Sequence, residues 1–128
     1  MELAKTPYSL FSLTDDGTVL ELQWSATEGM TDEAFRADMA AFADLALEHR
    51  PTVLVVDARD FAHRMSEATG QWRAEEIIPR YNRAGALKLA FLLPPAAGSS
   101  APAHEDGADF LTAWFTDRAA LNEWIHAA

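Results

Sequence analysis

Cysteine is absent from the 128-residue chain. Its absence removes a disulfide framework, a thiolate metal site and a cysteine nucleophile together. It also fits a reducing compartment, so a cytoplasmic location is expected. Long hydrophobic runs are missing too. The longest apolar segment, LAFLLPPAA at 89–97, is too short to cross a bilayer, and the start MELAKTPYSLFSLTDDG lacks the basic stretch and apolar core of an export signal. No transmembrane segment is expected. Basic residues are scarce, with Lys and Arg totalling 10 against 20 Asp and Glu, for a formal charge of -10. Such a surface repels phosphate backbones and anionic lipid, which argues against nucleic acid as a partner. No five like charges stand together, so the acidity is spread over solvated faces.

What remains is the composition of one globular domain over 1–128, with 49% hydrophobic and 23% charged residues. YSLFSLTDDGTVLELQW at 8–24 predicts an antiparallel hairpin. Leu20, Leu22 and Trp24 alternate with Glu21 and Gln23, and Asp16-Gly17 suits the tight turn. The next stretch, MTDEAFRADMAAFADLALEHRP, predicts a helix. Thr31 is its N-cap, Asp32 and Glu33 sit at the positive end of its dipole, and Phe35, Met39, Phe42, Leu45 and Ala46 form an inward stripe. TVLVVDA is a continuous β-branched run, the pattern of a strand covered on both faces and leaving the core at Asp57. MSEATGQWRAEEIIPRYNRAGA then predicts a second helix, capped by Ser66, ended by Gly85 and kinked at Pro79, which should free the Glu75 carbonyl. LKLAFLLPP and DFLTAWFT read as strands, and DRAALNEWIHAA as a closing helix capped by Asp117. Between those strands the Pro, Ala, Gly and Ser of 94–108 predict a flexible loop. The order is ββαβαβ, loop, βα. That is an α/β domain with a mixed sheet, an N-terminal β-hairpin and helices packed on the sheet.

Candidate chemistry is thin. Asp57, His63 and Ser66 fall within ten residues, yet HRMSEATG contains no G-x-S-x-G turn to supply oxyanion donors, so a loop histidine beside a capping serine is the expected reading. His49, His63, His104 and His126 are dispersed, without H-x-x-x-H spacing, and no metal or cofactor is called for. The turn DARDFAHRM after Val56 has two aspartates and no glycine, which disfavours phosphate. Glu75 and Glu76 beside Arg73 and Arg80 are expected to form helical ion pairs, such as Glu76 with Arg80, on the solvated side. No catalytic residue is assigned. The aromatic supply, including Trp24, Trp72, Tyr81, Phe91, Phe110, Trp114, Phe115 and Trp124, should fill the core. A kinked helix over a sheet beside a flexible loop is also how an apolar pocket opens.

LVVDARDF, the W..EEIIPR....G..K.AFLLP stretch and an aromatic strand running into A.L.EWI together resemble the SpoIIAA-like, or STAS-like, family of small bacterial proteins. The resemblance implies a mixed four- or five-stranded sheet backed by helices. It also implies a non-enzymatic regulatory module that binds a protein partner, with a serine at the start of the helix after the central strand as phosphoacceptor. Here MSEA replaces the DSSG-like motif. Ser66 is thus the phosphoacceptor candidate, and Glu67 stands where that serine would be. Other members of the family imply a different role, as carriers of an apolar ligand or as membrane-associated proteins, with helices that open over a hydrophobic cavity. For this chain the cavity would lie between the second helix and the sheet, gated by Trp72, Ile77, Ile78 and Tyr81. Self-association into a homodimer, through a hairpin edge or an apolar helix face, is a further expectation.

Overall fold

A β-branched run with no polar alternation must be covered on both sides, and that requirement organises the molecule. The computed structural model describes every residue except Arg64 and Ala128, the latter closing the expected last helix. In it Val53–Asp57 (β4) is buried throughout and lies fourth in a seven-stranded mixed sheet of order β1-β2-β3-β4-β5-β7-β6. The other strands are Glu2–Lys5 (β1), Ser9–Leu13 (β2), Val19–Trp24 (β3), Lys88–Leu92 (β5), Ser100–His104 (β6) and Leu111–Phe115 (β7). Strands β3, β4, β5 and β7 are parallel neighbours. The pairs β1–β2, β2–β3 and β6–β7 are antiparallel.

The α/β class, the mixed sheet and the hairpin are as expected, but four or five strands is too few. The two additional strands lie at the edges, where side-chain pattern carries least information. Residues of β1 are mostly exposed, and pairing with β2 rather than burial holds them. The segment expected to be a flexible loop at 94–108 contains a 3₁₀ turn, Pro95–Ala97, and then β6. All five residues of β6 are exposed. Its backbone pairs with β7, and the register shifts between Ser100 and Ala103, which gives Pro102 the edge and bulge position that a residue without an N–H can occupy.

Helices cover the two faces unequally. Asp32–His49 (α1) connects β3 to β4, with the Thr31 hydroxyl accepting the Ala34 N–H as its cap. The second helical stretch comprises Glu67–Trp72 (α2), a π-helical turn at Arg73–Ile77 and Ile78–Ala84 (α3). Ser66 caps its start, and Gly85 ends it at φ 88°. Pro79 acts through the π turn. Its ring would press on the carbonyl four residues back, and the widened turn, in which the Ile78 N–H reaches the Arg73 carbonyl, moves that carbonyl aside. These helices bury Leu20, Leu22, Leu54, Val56 and Leu89 on one face of the sheet. Arg118–His126 (α4) covers part of the other, where Val53, Val55, Ala90 and Leu92 meet Leu121 and Ile125.

Charged groups fix the frame. Arg118 holds Glu21 through two hydrogen bonds of 2.8 and 3.0 Å and approaches Asp57 at 3.4 Å. On the opposite side of the sheet, buried Asp38 of α1 accepts the hydroxyls of Thr6 and Ser9, each at 2.8 Å, and so ties the first two strands to the helix. Among the helices no span is long and apolar enough to cross a membrane in the described residues.

Phe42 is fully buried on α1, between Phe11 and Tyr81. Phe42→Ala is expected to lower the unfolding free energy by about 3–5 kcal/mol, measured by urea denaturation, because the neighbouring rings cannot collapse onto the vacated volume.

Candidate functional site

Four parallel strands end on the same side, and each places a large side chain or a branched one near its C-terminus on the face under α1. These are Trp24, Val56, Phe91 and Trp114. Together with Phe35 and Met39 of α1, they line a cavity of about 370 Å³. The segment after β4 adds Ala58, Phe61 and Met65, the helical layer adds Arg73 and Tyr81, and the far side is closed by Leu93 and Glu105. Clefts at the C-terminal ends of parallel strands are where open α/β sheets bind ligands, because the connecting loops diverge there. A volume of this size falls within the range of small-molecule sites.

The wall is held in place by hydrogen bonds made outside the cavity. Buried Thr27, just after β3, accepts the N–H groups of Ala62 and His63 at 2.6 and 3.1 Å. That fixes the segment carrying Phe61, whose ring packs against Trp24 and Phe35 at centroid distances of 5.1 and 5.7 Å. Met65 is 39% exposed and marks the cavity mouth.

Among the described residues, three in the lining carry a hydrogen-bonding side chain besides the Trp indoles: Arg73, Glu105 and Tyr81. Arg73 and Glu105 form a two-pronged pair at 2.9 and 3.2 Å, with side chains only 16% and 26% exposed. The Thr112 hydroxyl donates to the same carboxylate at 3.1 Å. Burial acts to raise the Glu105 pKa, but the hydrogen bonds and charge of Arg73, with the Thr112 hydroxyl, overcome it and hold the carboxyl below its ordinary value. Burial likewise opposes the charge on Arg73, and Glu105 restores it. Tyr81 is buried, which pushes its phenol well above the ordinary value, so it stays a neutral O–H. Its hydroxyl has no hydrogen-bond partner among the described residues.

The residues singled out in the sequence fall in several places. Tyr81 lines the cavity; Trp72, Ile77 and Ile78 do not. Ile77 and Ile78 are core side chains under the helix, and Trp72 packs beneath the Arg36 guanidinium, 5.5 Å from the ring centre. Asp57, His63 and Ser66 do not converge. Asp57 is held by Arg59 at 2.7 and 3.0 Å. Burial favours its neutral form, but the Arg59 hydrogen bonds and the charges of Arg59 and Arg118 keep the carboxyl below its ordinary value. His63 Nε2 lies 2.6 Å from Asp32 Oδ1 at the start of α1. Ser66 is exposed, and its hydroxyl accepts the Thr69 N–H at 3.2 Å. Hydrogen bonds from Ser66, then His63 and Thr69, hold the Asp32 carboxyl below its usual range. The anticipated Glu76–Arg80 pair is replaced by a contact from Arg80 to Asp44 of α1 at 3.4 Å. No group of three or more metal-ligating side chains gathers among the described residues.

Arg73 and Glu105 were not identified as partners from the sequence. One signal for Arg73 was present: Thr69, Ile77 and Tyr81 occupy the same helix stripe at four-residue spacing and are all buried, so a cation among them needs an internal partner. Nothing local in HEDG points to Glu105, because its partner stands 32 residues away. Compared with family models, curated proteins and solved structures, the chain matches none. The fold and cavity define an α/β protein with an apolar-walled cavity at the C-terminal ends of its parallel strands.

The folded-state pKa of Glu105 lies below the ordinary 4.5. Its pairing therefore stabilises the fold fully above that value and is lost as the pH falls through the lower, folded one. Glu105→Gln is expected to reduce stability near neutral pH and to flatten the acid decline, measured as Tm from about pH 7 to about pH 3. The parts of the decline due to Asp32 and Asp57 should remain.

Proposed function

We propose that this protein is a non-enzymatic binding protein with a STAS-like fold, and that its cavity takes a small apolar molecule. The observation that carries this reading is the cavity, about 370 Å³ in volume and walled mainly by aromatic and aliphatic side chains where the parallel strands end. A dry apolar cavity of roughly 150 Å³ holds one benzene, so this one has room for a ligand about twice that size. Among the described residues, its lining includes no Ser, Thr, Cys, His or Lys. The carboxylate there, Glu105, is engaged by Arg73 and Thr112, so a binding role suits such a wall better than nucleophilic or general-base catalysis, both of which need an unengaged base or nucleophile within reach of the bound molecule.

Native mass spectrometry of the protein purified from cells is expected to show a retained apolar molecule. Ala58→Phe, which places a ring in the cavity, should abolish that retention while leaving the circular dichroism spectrum unchanged. Bare polypeptide from wild-type preparations, together with failure to take up added hydrophobic probes, would count against the reading.

A second role, as a STAS-like regulatory module that contacts a protein partner or a second copy, draws support from the exposure of Ser66 at a helix start. Its surroundings weigh against phosphorylation, since the Asp32 carboxylate lies near enough for Ser66 to act on it and Glu67 follows the serine, and both carboxylates would repel a phosphoryl group. Both sheet edges also carry register shifts, features that discourage edge-to-edge pairing. Ser66→Ala is expected to cost about 1 kcal/mol through loss of the cap, read by thermal denaturation. If it also changes binding to a partner captured with the wild-type protein, the serine is a switch as well as a cap.

A further inference from the structure

We propose that the cavity selects neutral apolar molecules bearing one carbonyl-type acceptor, and that the Tyr81 hydroxyl donates the hydrogen bond that recognises it. The inference rests on the cavity being a ligand site and adds the chemical class of the ligand. Tyr81 is 1% exposed. Its ring is fixed edge-on between Phe42 and Phe110, at centroid distances of 6.0 and 5.9 Å. The hydroxyl therefore has little freedom to seek a partner elsewhere, and no described protein group accepts its proton. A phenylalanine would fill the same ring site without burying a polar atom. What distinguishes tyrosine here is an unpaired O–H on a side chain that lines the cavity with Arg73 and Glu105, both close enough for their charges to act on it.

The neighbouring charges decide between a neutral and an anionic ligand. Both terminal nitrogens of Arg73 are engaged by Glu105, and Glu105 is further satisfied by Thr112. The guanidinium is thus already neutralised. A carboxylate head would have to break that pair or lie beside the Glu105 charge after losing its own hydration, and both cost more than one phenol hydrogen bond returns. A ketone, ester or amide oxygen needs only the Tyr81 proton, while the rest of the molecule meets Trp24, Phe91 and Trp114.

The test compares three probes of similar shape, naphthyl methyl ketone, ethylnaphthalene and naphthoate, on the full chain and on Tyr81→Phe, by isothermal titration calorimetry. In wild type the ketone should bind roughly 3- to 10-fold tighter than the hydrocarbon, the size of one net neutral hydrogen bond. Naphthoate should be the weakest. In Tyr81→Phe the ketone's advantage should vanish while ethylnaphthalene binds at least as well. The carbonyl stretch of the wild-type-bound ketone should shift to lower frequency than in alkane solvent, a measurement that does not depend on the variant folding. An unshifted stretch, the same ketone-to-hydrocarbon ratio in both proteins, or naphthoate binding tighter than the ketone would each overturn the inference and leave the cavity as an apolar site. If none of the three binds wild type, the ligand-site reading itself fails and takes this one with it.

Discussion

Arg73 and Glu105 meet across the cavity from two elements far apart in sequence: the π turn of the second helical stretch and the residue that follows β6. A guanidinium on the inward face of a helix is tolerable only if its charge is matched nearby, and both prongs of Glu105 do so at hydrogen-bond distance. The pairing ties the end of the Pro- and Ala-rich segment to the helix and bounds one end of the space above the parallel strands. It also leaves Tyr81 beside a neutralised pair rather than a bare charge. Cavity shape and cavity electrostatics thus follow from the same contact.

The hollow persists in a chain rich in aromatic residues because their rings are committed to one another. Trp24 stacks on Phe35 at 5.5 Å, Phe91 on Trp114 at 6.2 Å, and Tyr81 is held by Phe42 and Phe110. Rings fixed in such pairs line a space without filling it, since rotating one into the void would abandon its partner. The loop that could sag into the opening is suspended from the Thr27 hydroxyl, which accepts two of its backbone N–H groups. Elsewhere polar contacts close gaps instead, as where Asp38 collects the Thr6 and Ser9 hydroxyls.

The central elements were legible because burial writes itself into local pattern. The apolar run at 53–57 had to be an interior strand, Thr31, Ser66 and Asp117 were readable as caps, and Gly85 as a stop; each depends on neighbours within a few residues. The edge strands were not legible. In β6 every side chain is exposed, so SAPAH carries no alternation to read. Pro79 was recognised as a disturbance, although whether a helix kinks or widens into a π turn depends on what packs against it. Of the residues expected around a pocket, Tyr81 reaches it while Trp72 turns to Arg36 and the two isoleucines go to the core. Helical periodicity says which residues share a face, but not how far that face stands from the sheet.

What the sequence alone determined is therefore the α/β class, the hairpin, the central strands, the helix boundaries and the acidic, cysteine-free character. All of these follow from composition or from interactions a few residues long. Tertiary structure decided that seven strands pair rather than five, that Arg73 finds Glu105, that His63 finds Asp32 instead of Ser66, and that a cavity remains where four strands end. Those outcomes depend on which distant groups arrive together and on whether rigid rings fill the space between them. Neither is encoded in the spacing of neighbours along the chain.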